Sequence, residues 1–528
     1  MKMFFQKMSR HLVGCMTGMI FLIHLLAISY TFYVNHDVAY FLTAGQMVVH
    51  GARPYVDIVD LGPPMILYIN SIPALFSQLT KAPLAISGVM FIFFLVIATM
   101  FLFVNLLKRI KPDLAQLHIY LLYIAWFFSS LWTYYHQDFG QREHLFFLFL
   151  ACFLLLRHTR YIQVKVSSWI VIITAVLAFC AVAIKPFYLF VLVLLEVVHI
   201  VKYRRLLKPF MTLEVYLCIG FGLLYALHFY AIDGGSFFYD YWLGVVLRGY
   251  SAYEIGWQRT LAALLDIRFF VLYFIVTLML CIVFLKEKES SIFFLSSCFG
   301  IFAYTTLILY VWQAKGWSYH LLPFYHSIII GVVLFWIGIM ESMPAKLYQS
   351  ISTIMAILVV SISHPSLVFL LGAPVPPINK VPFAFPHNTF TEAIELMTTP
   401  DDTVLFLSTS IIHAFPALTY AEREHGGRFL CTYPLGFFFH NSSNYEPEEQ
   451  WKDDEAKFYA WLEEDIRKRQ PKLLFINTAD HLQATAPYFK ISEYLKRKGF
   501  YDEISLFYRQ IGYVDTFEVY LRYSTDGL

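Results

Sequence analysis

Through most of the chain, apolar residues come in long runs instead of alternating with polar ones. The runs fall at 12–34, 84–107, 114–132, 143–157, 168–184, 187–201, 211–231, 267–285, 291–311, 321–341 and 347–371. Many of them approach the roughly 20 residues that a helix needs to cross the hydrocarbon of a bilayer, so about eleven transmembrane helices are expected. A further stretch, 64–80, is shorter, opens with Pro63-Pro64 and is interrupted by Asn70 and Pro73. From residue 373 the pattern changes. A proline-rich linker (Pro374, Pro376, Pro377, Pro382, Pro386) leads to two short apolar runs, Thr403–Ser408 and Lys472–Asn477, that read as buried strands. A charged helix is expected over 447–469 and an alternating strand over Phe517–Tyr523. The fold expected is an all-α polytopic membrane domain over 1–372, with interfacial helices in its first outer loop, followed by a small soluble α/β domain over 373–528.

Composition agrees with a membrane protein. Apolar residues make up 59% of the 528 positions and charged ones 14%, against roughly a half and a quarter in soluble domains, and the mean hydropathy is +0.60. The net charge of +2 carries no signal for nucleic acid, and no nucleic-acid partner is expected. Six of the seven cysteines lie in apolar segments and only Cys431 in the soluble part, so there is no disulfide framework. The basic start (Lys2, Lys7, Arg10) followed by an apolar run too long for a signal peptide reads as a retained signal-anchor.

Charge asymmetry orients the helices. If 64–80 lies at the interface without crossing, the inner segments hold 16 Lys and Arg and the outer ones 8; if it crosses, the counts become 10 and 14. Basic residues accumulate on the cytoplasmic side, so the first arrangement is expected. The N-terminus is then inside, and the C-terminal domain is outside the cytoplasmic (inner) membrane, in the periplasm if the cell is Gram-negative. The inner loops read as short and merely basic, with no role beyond orientation.

The same orientation sends every unusual polar loop outward. The first outer segment runs from Asn35-His36-Asp37-Val38-Ala39-Tyr40 through an amphipathic stretch to Gly51, then Arg53-Pro54-Tyr55-Val56-Asp57 and Asp60. Asp37 stands where it could serve simply as a helix N-cap. Asp138 and Gln141-Arg142-Glu143-His144 lie between the third and fourth spans, Lys185-Pro186 between the fifth and sixth, and Lys315-Gly316-Trp317-Ser318-Tyr319-His320 before the tenth. Arg248 lies in the outer segment 232–266. Carboxylates and cations sharing one membrane face suit a reaction that needs a base for a hydroxyl and a positive cradle for a phosphate. Each also has a plain explanation: Arg142 and Glu143 as an adjacent ion pair, Lys185 as a snorkelling side chain, Trp312, Trp317 and Tyr319 as an aromatic belt. No HExxH, CxxC pair, P-loop or GxSxG stands in a suitable context. Metal hydrolase, nucleotide-driven pump and serine hydrolase readings are therefore unsupported.

With these motifs in this order the sequence resembles the GT-C class of membrane glycosyltransferases, in the branch containing glycosyltransferase family 39. That branch holds protein O-mannosyltransferases, lipid A aminoarabinose transferases and core-lipopolysaccharide galacturonosyltransferases. The resemblance rests on Asp37-Val-Ala-Tyr40, Gly51-Ala-Arg-Pro-Tyr55-Val-Asp57, Pro63-Pro64-Met-Ile-Leu-Tyr68, Asp138 with Gln141-Arg142-Glu143, and Lys185-Pro186, and it covers 12–341. It implies transfer of a sugar from a polyprenyl-phosphate donor, usually with inversion, to a hydroxyl on an extracytoplasmic acceptor: a lipopolysaccharide, another glycan or glycolipid of the envelope, or a protein. It implies Asp37 as general base, with Asp138 and Glu143 as further acidic groups. Arg142, Lys185 and Lys315, with His320 and Tyr319, would hold the donor phosphate, and Tyr40, Tyr55, Asp57, Asp60 and Arg248 would contact substrate.

Two departures qualify the resemblance. Many relatives carry a second acid directly after the first-loop aspartate, where this chain has Val38; a divalent metal there is left without support. The aminoarabinose transferases carry a Lys just before the two prolines, where this chain has Gly62, which argues against that sugar. A flippase of lipid-linked glycans is the non-enzymatic alternative, but transporters place ionisable groups near the bilayer midplane. A polymerase or ligase is expected to carry a large arginine-rich outer loop, whereas 232–266 holds only Arg248 and Arg259.

Overall fold

A computed structural model describes residues 32–135, 137–233, 235–264, 291–341, 384–442, 444–479 and 488–523, together with Gly18, Leu22, Ser29 and Tyr30. The expected spans 267–285 and 347–371, most of 12–34, and the linker as far as Pro382 lie outside the described residues. The other eight expected runs are helices: α3 (Leu84–Ile110), α4 (Gln116–Tyr135), α5 (Arg142–Tyr161), α6 (Ser168–Ile184), α7 (Leu189–Tyr203), α8 (Leu213–Asp233), α9 (Ser291–Gln313) and α10 (Leu322–Glu341). Among the described residues, five segments are long and apolar enough to cross a membrane: Leu84–Ile110, Pro186–Tyr203, Leu213–Asp233, Ser291–Gln313 and Ser318–Met340. Ahead of them stand α1 (His36–Val49) and α2 (Met65–Thr80).

The chain divides into two compact units that interleave in sequence. The first comprises Met1–Tyr33, Ile92–Leu224 and Ile255–Ala384. Here α9 packs on α10 and α7, α5 on α6, and α10 on α4 and α5. Burial of whole helix faces explains why α5 tolerates charge. At its far end Arg157 gives its Nε to Glu196 (2.5 Å) and its Nη1 to Glu214 (3.0 Å), while Arg160 meets Glu214 through Nε and Nη2, both at 2.9 Å. These two arginines, expected to serve orientation alone, are instead paired with carboxylates on α7 and α8. A guanidinium fork matches a carboxylate bidentately, which satisfies charges that would otherwise be costly inside a membrane.

The second unit comprises Val34–Phe91, Tyr225–Glu254 and Phe385–Leu528. Here α1 and α2 form a tight pair. Helix α1 stops at Gly51, whose φ of +98° suits glycine, and Pro64 precedes the first turn of α2. A Cβ added to Gly45 would sit 2.6 Å from the backbone carbon of Asn70. Gly45→Val is therefore expected to pry the two helices apart and lower stability by about 1–3 kcal/mol, read as a lower midpoint in thermal unfolding. An unchanged midpoint would remove the packing argument.

The C-terminal stretch folds around a five-stranded sheet of order β2-β1-β3-β5-β4, with β1 (Thr403–Leu407), β2 (Glu424–His425), β3 (Leu473–Asn477), β4 (Tyr508–Val514) and β5 (Phe517–Arg522). Strands β1, β2 and β3 are parallel, β5 runs antiparallel to β3, and β4 closes the edge as a hairpin with β5. Strands β1, β3 and β5 stand where the sequence pattern puts them; β2 and β4 are additions. The helix expected over 447–469 is α11 (Lys452–Arg469).

His425 at the end of β2 is buried, its ring placed between the Phe406 amide and the Gly427 carbonyl. Burial pulls its pKa from 6.5 down to about 4. Above about pH 6.5 the ring is neutral in both states and costs nothing. As pH falls toward about 4 the unfolded chain takes up a proton that the folded one refuses. Stability should then drop by about 3 kcal/mol in total. Unfolding midpoints measured between neutral pH and that limit should decline, and His425→Phe should flatten the slope; an equally steep decline in the variant would exclude His425 as the source.

Candidate active site

In the first unit three motifs from separate loops meet. Gln141 caps α5, so Glu143 falls in its first turn, fully buried. Lys185 is the residue at which α6 ends, followed at once by Pro186, and its side chain is likewise buried. His320 sits in the short 3-10 turn Ser318–Leu321 that leads into α10. The Lys185 ammonium forms an ion pair with the Glu143 carboxylate and lies 3.1 Å from His320 Nε2. Because an ammonium can only donate, His320 Nε2 accepts and the ring proton belongs on Nδ1. Neither that Nδ1 nor Glu143 Oε2 meets a hydrogen-bond partner among the described residues.

The remaining expected phosphate contacts belong to the same cluster. Arg142 and the buried Lys315 act electrostatically on the His320 ring together with Lys185. The Tyr319 ring centroid is 5.7 Å from the Lys185 ammonium and stacks on Trp317 at 5.8 Å. Asp138 belongs to the turn leading into α5, where its carbonyl accepts from the Gln141 amide at 3.2 Å. Trp312, by contrast, is 70% exposed, as an aromatic-belt residue would be.

The other expected residues are in the second unit. Asn35, not Asp37, caps α1: its Oδ1 accepts from the Asp37 amide at 2.8 Å. Capping therefore does not account for the Asp37 carboxylate. Three residues on, Tyr40 donates to Asp60 Oδ1 at 2.8 Å, and the Gly62 amide donates to Asp60 Oδ2 at 3.1 Å, holding a buried carboxylate in place. Tyr55 adopts a positive φ of +71°, and its ring stacks on Phe237 (5.2 Å) and Phe229 (5.7 Å). Burial raises its hydroxyl well above the usual pKa, with Tyr225 and Asp60 adding to the effect. Two expected substrate contacts have local partners. Asp57 binds the Arg53 amide and guanidinium at 2.9 and 3.1 Å, and Arg248 pairs with Asp454 at 3.3 Å while lying 4.3 Å over the Trp451 ring.

Sequence reading did not single out Asn35 as the cap or Glu143 as the partner of Lys185. The first had a signal, an Asx residue just before the helix; the second had none, since the two are far apart in sequence. Among the described residues no three His, Cys, Asp or Glu side chains are grouped as metal ligands would be.

No family model matches the sequence, and no curated protein matches it. Solved structures do. ArnT from Cupriavidus metallidurans in the apo state aligns over 97% of this chain and 98% of its own, with a TM-score of 0.56 at 10% identity. The structure of the same protein bound to undecaprenyl phosphate aligns over 98% of both chains, again with a TM-score of 0.56, at 9% identity. ArnT is a GT-C glycosyltransferase, a lipid A aminoarabinose transferase. The chain has the GT-C fold. The architecture expected from the apolar runs, a helical membrane domain followed by a small α/β part, is thus the observed one. At this level of identity the likeness concerns the fold, and the chemistry rests on the residues.

Proposed function

We propose that this protein is a membrane glycosyltransferase that moves a sugar from a polyprenyl-phosphate donor to a hydroxyl of an extracytoplasmic acceptor. The observation that carries the reading is the cluster of Glu143, Lys185 and His320, drawn from three separate loops. Arg142, Lys185 and Lys315 all act electrostatically on His320, and the Glu143 carboxylate lies 3.3 Å from its Nε2. Cations and hydrogen-bond donors grouped in a buried place are what a departing lipid phosphate requires. Glu143 would hold the Lys185 ammonium in position, and the His320 Nδ1 proton would be available to a phosphate oxygen. Asp37 would take the proton of the attacking hydroxyl. In-line attack at the anomeric carbon would give inversion.

The GT-C fold, met in a protein whose structure includes bound undecaprenyl phosphate, supports a polyprenyl-phosphate partner in the inner membrane. Gly62 before the two prolines favours a sugar other than aminoarabinose. The acceptor belongs to the envelope: lipopolysaccharide, another glycan, or a protein. The reading is tested by supplying the purified protein with a panel of polyprenyl-phosphate sugars and following, by mass spectrometry, sugar gained by envelope glycolipids from cells lacking it. A protein that transfers none of them, yet moves the lipid-linked sugar across vesicles, would be a flippase.

A further inference from the structure

The second unit contains a cleft of about 210 Å³ that the transfer chemistry does not use. Its walls are aromatic: Tyr55, Phe237 and Tyr241 on one part, Trp461 of α11 on another. Phe237 and Tyr241 come from a ten-residue π-helical stretch, Phe237–Val246, and Tyr55 holds a positive φ that bulky residues avoid. Long π-helices and left-handed non-glycine residues both cost free energy and concentrate at functional sites.

The charges in the cleft divide into committed and available ones. Asp233 accepts hydrogen bonds from Ser236 and from the Phe237 amide at 2.9 Å, so it serves the turn. Arg428 is bound by Asp465 and Glu464, its Nη2 at 2.9 and 2.6 Å from their oxygens. What remains is the exposed pair Asp240 and Lys457; the Lys457 ammonium lies 4.8 Å and the Arg428 guanidinium 5.3 Å over the Trp461 ring, and of the two the exposed Lys457 is the one a sugar can displace from the ring face. One carboxylate, one ammonium and flat aromatic faces form a set that matches an uncharged sugar. Pyranose hydroxyls donate to a carboxylate and accept from an ammonium, and the sugar's C–H face lies on an aromatic ring. An anion is poorly served, because Arg428 is already bound by Asp465 and Glu464, and Lys457 shares the lining with two carboxylates, Asp233 and Asp240. The volume suits a single ring, being smaller than a drug-sized site.

We infer that this cleft binds a neutral hexose of the acceptor glycan, with Trp461 as the stacking platform and Asp240 and Lys457 as the hydroxyl contacts. The inference rests on the transferase reading for the word acceptor, but sugar binding itself can be measured without turnover. The full-length protein in nanodiscs is mixed with methyl gluco-, galacto- and mannopyranoside, and saturation-transfer NMR records which ring protons receive magnetisation. At least one hexoside should be contacted, inorganic phosphate should not displace it, and Trp461→Ala should weaken the contact by about threefold to tenfold. The double variant Asp240→Asn/Lys457→Ala, which changes only exposed side chains, should do the same without disturbing the fold. With an acceptor in hand, these variants should raise its KM and leave kcat within about twofold. Binding that survives in Asp37→Asn separates the cleft from the chemistry. If Asp37→Asn still transfers sugar while hexoside contact depends on Trp461, the base assignment fails and the cleft stands. Absence of any hexoside contact, contact indifferent to both variants, or displacement by phosphate would each overturn the proposal.

Discussion

Asp37→Asn is expected to abolish sugar transfer from a polyprenyl-phosphate donor while leaving the protein folded and inserted. The change is isosteric and removes the carboxylate's negative charge, and with it the capacity to accept a proton that the proposed mechanism assigns to Asp37. General-base contributions are typically about 10²–10⁴-fold. The fold should survive because the α1 cap is Asn35, which the substitution does not touch. Loss of a first-turn negative charge at this half-buried helix start costs up to about 2 kcal/mol, so the unfolding midpoint should fall only modestly. Transfer is measured with purified protein, a radiolabelled donor and an acceptor glycolipid. A variant that retains full activity would remove Asp37 from the mechanism.

Lys185→Met is expected to lose both activity and stability, and the two losses can be separated. Removing the ammonium takes away one cation from the proposed donor-phosphate site, and loss of such a group typically costs about 100-fold or more in rate. It also leaves Glu143 buried beside the His320 ring without its ammonium partner, a situation that costs about 3–5 kcal/mol when one partner of a buried ion pair is deleted. The double variant Glu143→Gln/Lys185→Met removes both charges, so most of the lost stability should return. Transfer should not. Thermal unfolding in detergent and initial rates on the same samples supply both readouts, and the double-variant cycle isolates the coupling between the two residues. A double variant that is both stable and active would make Lys185 a structural residue only.

Much of the architecture was legible before any coordinates. Runs of apolar residues near 20 long leave few alternatives to helices in a membrane, and α3 to α10 stand where those runs were. Strands β1, β3 and β5 were readable from the same kind of local signal. Strand β4 was not, because Tyr508–Val514 mixes Arg, Gln and Gly with its apolar residues and is largely exposed along an edge. In the sequence Asp37 reads as a helix cap as well as a candidate base; the side-chain hydrogen bond of Asn35 gives the cap to Asn35. Arg157 and Arg160 looked like topology signals because a basic residue near the inner end of a span reads alike whether it faces headgroups or a carboxylate.

What the sequence determined alone was therefore the class of protein, the helices, and the kinds of residue found in each loop between them. Hydrophobic run length and charge asymmetry are sums over neighbouring residues, so they survive in one dimension. The tertiary structure decided which of those residues meet. Lys185 joins a carboxylate 42 positions earlier and an imidazole 135 positions later, and Trp461 shares a cleft with Tyr55 and Phe237. Contacts at such separations leave no periodic trace along the chain. They exist because packed helices and the C-terminal fold bring distant loops together, and a buried charge is tolerated only where a partner has been brought to it.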